Sequence, residues 1–517
     1  MRNTQVLRNA AAAVATAFVV FAAAACYNGS DELKGNEAAV SLSGNIIIEH
    51  GGLLVGLPLT AKYDGQEKEV GFQWNMNGSA IESGMGTTYT PEAEGSYSVT
   101  VKASGFRPKT SDAVSVWPTE AGSETDEAGL KYLRKGDGYA IVGSPDQMKD
   151  ALRIPAMLNG LPIVAIGDGA FSGRGLIEVY IPGSVESIGV AAFSNNSIKY
   201  LTIGKEVKEI GDFAFTANHL TLVDIPTGVT GIGDSAFSHN NLRKLTIPNS
   251  VKSVGDSAFS NNDIAELTLG TAIEEIGAYA FSRNNIASVE IPGSVKTIGN
   301  SAFLENSIER LTVGSGVTKI GDYAFDNNLI KELVIPDSVE EIGRRAFAGN
   351  GMETLDIGSG VAAIGDYAFS VNFITELTIP AKVESIGDYA FSKNGLNSLT
   401  IADGVANIGE WAFSGNSLTN VVIPYSVENI GESAFAGNDI KELIIIGNDM
   451  TGEGRAHIGN SAFYGSGITT VEIAANVKLG NNDSMGNHGY LFIPLYNGNG
   501  KLAGTYEYTD KAGWSKK

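Results

Sequence analysis

The dipeptide Ala-Phe recurs at a fixed interval through most of the chain, and this recurrence constrains the fold more than any other feature. Successive steps are 22 residues long except the last, which is 28. The phenylalanines are Phe171, Phe193, Phe215, Phe237, Phe259, Phe281, Phe303, Phe325, Phe347, Phe369, Phe391, Phe413, Phe435 and Phe463. A repeat of this length is typical of a solenoid, in which each coil buries its apolar face only by stacking on its neighbours. We therefore predict an elongated array, since 517 residues exceed one compact core.

The unit that ends at Phe259 shows what one coil contains. Its first half reads Leu-x-x-Leu-x-Ile and predicts a strand in which Leu245 and Ile247 point inward and Thr246 points outward. Pro248 should end this strand because proline has no N–H for the ladder. The same position alternates almost regularly between proline and glycine in Pro182, Gly204, Pro226, Pro248, Gly270, Pro292, Gly314, Pro336, Gly358 and Pro380.

The second half of this unit predicts another inward-facing pair, Val251 and Val254, on the opposite side of the coil. Gly255 should then turn the chain, and the acidic residue after it should cap a one-turn helix, Ser257-Ala258-Phe259. A metal-binding ladder is the alternative for these acidic residues, and capping explains them better. They are Asp212, Asp234, Asp256, Asp322, Asp366, Asp388, Glu410 and Glu432.

An asparagine follows most of the repeat phenylalanines by three residues. We expect these side chains to stack into a ladder that satisfies turn backbone groups, which would otherwise be buried without partners. The column consists of Asn196, Asn218, Asn240, Asn262, Asn284, Asn306, Asn328, Asn350, Asn372, Asn394, Asn416 and Asn438.

Turn signals at both ends of the array predict caps that block open-ended strand pairing. Lys135-Gly136-Asp137-Gly138 predicts a hairpin, which together with an irregular first coil forms an N-terminal cap over residues 129–170. The solenoid proper should cover residues 171–477. In residues 478–517, the turn Asn497-Gly498-Asn499-Gly500 lies between candidate strands Leu491–Tyr496 and Leu502–Tyr508 and predicts a hairpin as the C-terminal cap.

Residues 39–117 predict a small β-sandwich, because short alternating runs are broken by Gly, Pro and Asn. Phe72-Gln73-Trp74 and Gly95-Ser96-Tyr97-Ser98-Val99 resemble two strands of bacterial immunoglobulin-like domains, with Trp74 in the core. A stalk is favoured over a ligand-binding module for this domain, and residues 118–128 form an acidic linker. The candidate strands are Val40–Leu42, Ile46–Glu49, Leu57–Ala61, Gly71–Trp74, Tyr97–Ala103 and Ala113–Trp117.

The first 25 residues have the pattern of an export signal, with a basic start and a short apolar run closed by small residues. Cys26, the only cysteine, stands at the expected cleavage point after Ala23-Ala24-Ala25. This arrangement resembles a lipoprotein box, which implies acylation of Cys26 as the first mature residue. An ordinary signal-peptidase site is the alternative. Residues 26–38 are polar and predict a flexible tether, so the acyl chains would be the only membrane anchor.

The repeat Ile-Pro-x-Ser-Val-x-x-Ile-Gly-x-x-Ala-Phe, as in Ile291–Phe303, resembles the Treponema-type (BspA-like) leucine-rich repeat over about residues 129–477. Members of that family are surface or secreted bacterial proteins, and those studied are associated with adhesion to fibronectin and fibrinogen, coaggregation and host-receptor engagement. The predicted fold class is mainly β: a leucine-rich-repeat solenoid of 14 units of about 22 residues, preceded by an immunoglobulin-like β-sandwich.

Two columns of the repeat are candidate ligand-binding surfaces. The first is the outward strand position, where β-branched threonine equally suits an exposed strand: Tyr180, Thr202, Asp224, Thr246, Thr268, Glu290, Thr312, Val334, Asp356, Thr378, Thr400 and Val422. The second lies two residues before the phenylalanine, where local packing between coils is the favoured alternative: Phe213, Tyr279, Tyr323, Tyr367, Tyr389 and Trp411.

Charge and motifs exclude several classes of function. The net charge of -22 argues against nucleic acid as a partner. The sequence holds no nucleophile elbow, phosphate-binding loop or zinc motif, so we expect no enzyme, cofactor or metal. The prediction is a monomeric lipoprotein of the outer cell surface that binds a protein of the host matrix or of another bacterium. The alternatives are a structural envelope lipoprotein, a carbohydrate-binding protein, and a periplasmic or released location.

Overall fold

The computed structural model describes residues 40–41, 46–50, 59–63, 70–93, 95–103, 106–111, 114–116, 124–125, 129–146, 148, 150–447, 454–481 and 483–517. They form two compact units, the first drawn mainly from the part of the chain before Ala113 and the second mainly from Val114–Lys517. The predicted export signal, Cys26 and the tether lie outside the described residues.

The N-terminal unit is built from short, mostly antiparallel strands, and Val40–Ser41 pairs in parallel with Phe106–Arg107. Its largest buried side chain is Trp74, whose indole Nε1 donates a hydrogen bond to the Gly86 carbonyl oxygen at 3.0 Å. Trp74 therefore lies in the core of this unit, while an immunoglobulin-like topology stays a prediction. The strands up to residue 116 are Val40–Ser41, Ile46–His50, Leu59–Tyr63, Gly71–Met76, Ser79–Met85, Thr88–Tyr89, Gly95–Lys102, Phe106–Arg107, Lys109–Thr110 and Val114–Val116.

The second unit is a β-solenoid of about fifteen turns, held together by one long sheet. Each coil contributes the two residues that precede the turning glycine, paired in parallel with the same residues of the next coil, as Ser253–Val254 pairs with Glu275–Ile276. The sheet runs through Glu124–Thr125, Lys131–Lys135, Gly138–Gly143, Met157–Leu158, Leu161–Ile166, Ser187–Ile188, Glu209–Ile210, Gly231–Ile232, Ser253–Val254, Glu275–Ile276, Thr297–Ile298, Lys319–Ile320, Glu341–Ile342, Ala363–Ile364, Ser385–Ile386, Asn407–Ile408, Asn429–Ile430, His457–Ile458 and Lys478–Leu479.

The strand predicted from Leu-x-x-Leu-x-Ile forms shorter sheets, mostly of two coils each. Lys244–Thr246 pairs in parallel with Glu266–Thr268, for example, and the next sheet begins with the following coil. We refer to these as the outer strands. They are Ala151–Arg153, Glu178–Tyr180, Tyr200–Thr202, Lys244–Thr246, Glu266–Thr268, Ser288–Glu290, Arg310–Thr312, Glu332–Ile335, Thr354–Ile357, Glu376–Ile379, Ser398–Ile401, Asn420–Ile423, Glu442–Ile445 and Thr470–Ile473.

The alternation of proline and glycine after the outer strands has a steric cause. A Cβ at Gly314 would lie 2.6 Å from the carbonyl oxygens of Ile291 and Pro292 in the preceding coil. Real Cβ atoms essentially never come that close to a backbone oxygen, so this position needs glycine in the coil of Gly314. The same close approach is found at Gly204, Gly270 and Gly358.

The repeat phenylalanines form one stacked column through the core. Neighbouring rings lie 5.1 to 5.6 Å apart and nearly parallel, and all are fully buried. The alanine before each phenylalanine is buried as well, because the next coil leaves room for a methyl group only. The column therefore supplies the large apolar area that each coil cannot bury alone.

The one-turn helix predicted at Ser257-Ala258-Phe259 is wrong. Ser257 has φ 57° and Asn261 has φ 54°, and two left-handed residues are incompatible with a right-handed helical turn. The backbone N–H groups of Ser257, Phe259 and Asn261 instead donate to carbonyl oxygens of the next coil, at 2.7, 2.8 and 3.0 Å. The turn is consequently part of the inter-coil ladder.

The predicted asparagine ladder is confirmed. Asn284 Oδ1 accepts from the Ile264 N–H at 3.0 Å, and Asn284 Nδ2 donates to the carbonyl oxygens of Phe259 and Phe281 at 3.0 and 3.1 Å. Equivalent bonds recur along the column, from Asn196 to Asn438. Each buried side chain thus bridges its own turn to the preceding coil.

The two ends of the array are closed differently. At the N-terminal end, Lys131–Lys135 and Gly138–Gly143 form the hairpin that the Gly136-Asp137 turn predicts. At the C-terminal end, the strand predicted at Leu491–Tyr496 is wrong, because this run lies in the α-helix Gly489–Gly498, which buries Phe492, Ile493 and Tyr496. The capping hairpin follows it as Gly504–Thr509 and Gly513–Lys516, the first of which pairs antiparallel with the outer strand Thr470–Ile473.

Candidate functional site

The outward strand column is exposed along its whole predicted length. Parallel pairing places its members side by side, Thr246 next to Thr268 and Thr378 next to Thr400. Beside the first of these pairs, Lys244 Nζ lies 2.8 Å from Glu266 Oε2. This ion pair raises the pKa of Lys244 and lowers the pKa of Glu266. The column is therefore an exposed row in which threonine is the commonest residue, and the charges beside its Thr246 and Thr268 pair neutralise each other.

The acidic residues that precede the left-handed position bond to the next coil. Asp234 Oδ1 accepts from the Asp256 backbone N–H at 2.6 Å, and Asp256 Oδ1 accepts from the Ala278 N–H at 2.6 Å. Helix capping was thus the wrong explanation for this column, since the carboxylates cap the turn of a neighbouring coil. Among the described residues, no group of three or more His, Cys, Asp or Glu is arranged to hold a metal ion.

The aromatic column occupies the first left-handed position of the turn, and its members differ in their surroundings. Tyr279 is 46 % exposed, and its neighbours in the column are Ser257 and Ser301. Tyr323 packs under Arg345, whose Cζ lies 5.5 Å from the ring centroid. Phe213 is also exposed. At these positions the column is a set of separate side chains rather than a continuous stripe.

Three members of the column form a stacked aromatic ladder: Tyr367, Tyr389 and Trp411. Their ring centroids lie 4.6 and 5.9 Å apart, with interplanar angles of 4° and 8°. All three are partly exposed. Local packing and an accessible aromatic surface, which the sequence posed as alternatives, therefore coexist here.

A polar groove runs beside this ladder. It has a volume of about 480 Å³. It is lined by Asn407, Asn429 and His457, the first residues of neighbouring strands in the long sheet, and by the acidic residues that directly precede positions 389, 411 and 433, namely Asp388, Glu410 and Glu432. We call this the polar groove below.

The carboxylates of the polar groove influence one another. Partial burial is the main cause of a raised pKa at both Asp388 and Glu410, and for Glu410 the charges of Asp388 and Glu432 raise it further. The pKa of Tyr389 is also raised, by burial first and then by the nearby charges of Tyr367, Glu410 and Asp388. The groove is thus a concentrated source of hydrogen-bond acceptors next to flat aromatic rings.

Sequence reasoning missed a second surface. Leu329, Val371 and Phe373 are 50, 54 and 67 % exposed, although other coils hold Gly, Ser, Asn, Asp or His in the column of Leu329 and Phe373, and no other large apolar residue in the column of Val371. Backbone bonds place residues 329, 351 and 373 side by side in consecutive coils, since Gly351 N–H donates to Ile330 O and Phe373 N–H donates to Met352 O. We call Leu329, Gly349, Gly351, Val371 and Phe373 the apolar notch.

A comparison of the columns could have revealed the apolar notch before the structure was known. A large apolar residue at a position that is otherwise small or polar is the available signal, and it marks Leu329 and Phe373. Two glycines in the intervening coil, Gly349 and Gly351, mark the gap between them.

No helix among the described residues is long and apolar enough to cross a membrane.

No curated protein matches the chain. Solved structures with similar chains include a leucine-rich repeat protein from Bacteroides ovatus, with 22 % identity, 62 % of this chain and 94 % of that chain covered, and a TM-score of 0.47. The pneumococcal vaccine antigen PcpA has 18 % identity, 70 % and 91 % coverage, and a TM-score of 0.38. A leucine-rich cell surface protein from Faecalibacterium prausnitzii has 22 % identity, 61 % and 92 % coverage, and a TM-score of 0.34.

The repeats themselves match a known family over more than half of the chain. The family is described as the BspA type leucine rich repeat region, and it matches residues 161–266, 252–374 and 362–488, which overlap into one continuous span. The matched span contains all but the first coils of the solenoid, including the phenylalanine, asparagine and glycine columns. The chain belongs to the BspA-type leucine-rich repeat family.

Proposed function

We propose that this chain is an exported, lipid-anchored protein of the outer bacterial surface that binds another protein through its solenoid. Repeat proteins of this family are generally non-enzymatic scaffolds suited to protein interaction. The observation that carries the proposal is the apolar notch, because a soluble surface rarely groups large exposed apolar side chains without a use for them.

The apolar notch has the dimensions of a pocket for one side chain. Core rings in the three coils concerned are 5.3 and 5.4 Å apart, so Leu329 and Phe373 stand two coil spacings from each other. A Cβ at Gly351 would meet nothing within 4 Å, so the floor between them is open. One aliphatic or aromatic side chain of a partner would fill this gap and contact apolar atoms on both sides.

The outward strand column supplies a polar surface next to the apolar notch. Residues 371–373 lead directly into the strand Glu376–Ile379, which carries Thr378, and the coils on either side present Asp356 and Thr400. An apolar centre with a polar, solvent-accessible rim is the usual composition of a protein interface. We therefore place the centre of the interface at the apolar notch and its rim at Asp356, Thr378 and Thr400.

Replacing Phe373 by serine should weaken binding to a protein ligand by about tenfold or more, because truncation of a central aromatic anchor typically costs at least ~1–2 kcal/mol. Fibronectin and fibrinogen are the first ligands to test, given the resemblance to BspA-like proteins. The measurement is surface plasmon resonance of the mature full-length chain on each immobilised protein. Leu329→Ser should behave like Phe373→Ser.

Tyr200→Ser is the matched control for this prediction. Tyr200 is also 67 % exposed, but it lies on an outer strand near the N-terminal end of the solenoid. Its replacement should leave the affinity unchanged. Equal losses for Tyr200→Ser and Phe373→Ser, or no loss for either notch variant, would remove the notch from the interface.

Replacing Cys26 by alanine should abolish incorporation of radiolabelled palmitate and release the protein from the membrane fraction, because the chain would lose its proposed acyl anchor. Protease treatment of intact cells should remove the solenoid of the unaltered protein. Protection of the solenoid until the envelope is broken would place the protein in the periplasm and favour a structural envelope role over adhesion.

A further inference from the structure

We propose that the polar groove, together with the stacked aromatic ladder beside it, binds a neutral carbohydrate chain. This site is separate from the apolar notch and uses none of its residues. It therefore goes beyond the proposed protein interaction, and either inference can fail without the other.

The first argument comes from the aromatic ladder. Tyr367, Tyr389 and Trp411 have φ 57°, 58° and 56°, a region that costs a bulky residue conformational energy. Ser257 and Ser301 hold the same position elsewhere, so the turn itself does not require an aromatic residue. The rings are only partly buried, and they add little to the core. Three consecutive rings at this strained position are better explained by a ligand than by folding.

The two ends of the ladder have different neighbours. At the Tyr367 end, the guanidinium of Arg344 lies 5.8 Å from the ring centroid. At the other end, the next residue of the column after Trp411 is Ser433, which is buried, and no described ring stacks on that side of the indole. A sugar would therefore contact the partly exposed outer portion of the Trp411 indole.

The second argument comes from the hydrogen-bonding groups of the polar groove. Asn407 and Asn429 carry both donors and acceptors, and Asn429 Nδ2 donates to Asn407 Oδ1 at 2.9 Å, which fixes the orientation of the two amides. Glu410 and Glu432, which also line the groove, are acceptors. Sugar hydroxyls both donate and accept, so they can bond to the amides and to the carboxylates.

The third argument is the regular spacing of these groups. In this part of the solenoid the core rings repeat every 5.4 and 5.2 Å, and two successive coils each present one amide and one carboxylate, Asn407 with Glu410 and Asn429 with Glu432. A pyranose unit in an extended glycan advances by a comparable distance. Successive sugar units can therefore meet equivalent groups, which adds affinity through multiple weak contacts. Crowding of Asp388, Glu410 and Glu432 would disfavour a polyanionic glycan.

The test is isothermal titration of the mature full-length chain with cellohexaose, mannohexaose, xylohexaose and chitohexaose. We expect at least one of these neutral hexasaccharides to bind, and the acidic polymer polygalacturonate not to bind. Trp411→Ser, which installs the residue found in other coils, should weaken the binding about tenfold or more, because a stacked aromatic ring is commonly worth that much. Asn429→Ala should weaken it as well.

Tyr279→Ser is the matched control, since Tyr279 has the same backbone conformation and is exposed but has no stacked neighbour in its column. The Tyr279→Ser variant should bind each hexasaccharide with the same affinity as the unaltered chain. The proposal is overturned if none of the four hexasaccharides binds at millimolar concentration, or if Tyr279→Ser loses as much affinity as Trp411→Ser. Binding of hexalysine in place of every sugar, lost in Glu410→Gln, would also overturn it and assign the groove to cationic peptides.

Discussion

Replacing Phe303 by alanine should lower the free energy of unfolding of the solenoid by about 5 kcal/mol. The ring is fully buried and stacks on Phe281 at 5.3 Å and on Phe325 at 5.2 Å. Truncation of a buried phenylalanine costs ~3–5 kcal/mol through lost transfer energy and the cavity left behind. The loss of two stacking partners adds to this cost, and the rigid coils on either side cannot collapse into the space. Guanidinium denaturation followed by far-ultraviolet circular dichroism measures the change.

The effect of Phe303→Ala should be local, because each coil contacts only its neighbours. Amide hydrogen exchange should therefore accelerate most in residues 281–325 and least in the C-terminal helix Gly489–Gly498. Phe373→Ala provides the control, since it removes an identical side chain that is mostly exposed, and it should change stability by less than ~0.5 kcal/mol. Similar destabilisation by the two variants would show that the stacked column is not the main source of coil stability.

The solenoid was predictable because a repeat imposes the same environment on the same position many times. A single Ala-Phe pair is uninformative, whereas fourteen pairs at one interval place every phenylalanine in one buried column. The side of the coil that each residue faces followed from the same reasoning, as Thr246 outward and Leu245 inward show. The structure confirms these assignments, since periodicity encodes burial directly.

The identity of the continuous sheet was not predictable in the same way. Each coil has two apolar pairs of similar character, and which pair forms an unbroken ladder depends on the distance between coils. The Leu245 and Ile247 segment follows the proline and glycine alternation, and its sheets extend over two coils. The Val254 segment is followed by glycine in every coil and pairs throughout. Only three-dimensional spacing distinguishes them.

The turn was mispredicted because a left-handed backbone conformation is usually predicted from the presence of glycine. In this protein the first left-handed position holds Ser, Tyr, Trp and Arg, which give no such signal. The second position offers one, because Gly349, Gly415 and Gly437 occur there with positive φ. Inter-coil hydrogen bonds offset the conformational cost of these residues, and such bonds cannot be inferred from one unit alone.

The C-terminal cap illustrates a different limit. Leu491–Tyr496 is a short apolar run, and such runs fit either a strand or a buried helix segment. The helix places Phe492 and Tyr496 on one face, where Phe492 packs edge-on against Tyr506 and Trp514 of the following hairpin. Tertiary packing therefore selects the helix, which the local pattern could not.

Some of the candidate surfaces could be predicted from the repeat, and others depend on the stacking of the coils. The outward column and the aromatic column could be identified by position, but the polar groove depends on groups from four coils that meet only after stacking. Asn407 and Glu410 are three residues apart, with Ile408 and Gly409 between them, and both line the groove. They share one groove because of the conformation of the turn, and the conformation of the turn could not be predicted from the sequence.

Replacing Asn284 by alanine should lower the free energy of unfolding by about 2 kcal/mol, although the substitution removes only three non-hydrogen atoms. Its amide bonds to Ile264, Phe259 and Phe281 at 3.0, 3.0 and 3.1 Å, all through buried backbone groups. A buried group left without a partner costs ~1–3 kcal/mol, and alanine leaves the Ile264 N–H in that state, whereas the carbonyl oxygens of Phe259 and Phe281 keep their bonds from Asn262 and Asn306. Guanidinium denaturation should show the loss, and amide exchange at Ile264 should rise.

Asn285→Ala is the matched control for Asn284→Ala, because the neighbouring asparagine is exposed and outside the ladder. It should change stability by less than ~0.5 kcal/mol. Asn284→Asp tests the mechanism further, since the aspartate keeps the acceptor for the Ile264 N–H but loses both donors and buries a charge, so it should destabilise at least as much as alanine at neutral pH. If Asn284→Ala and Asn285→Ala cost the same, water would be satisfying the Ile264 N–H, and the asparagine ladder would add little to the inter-coil backbone bonds and the phenylalanine column.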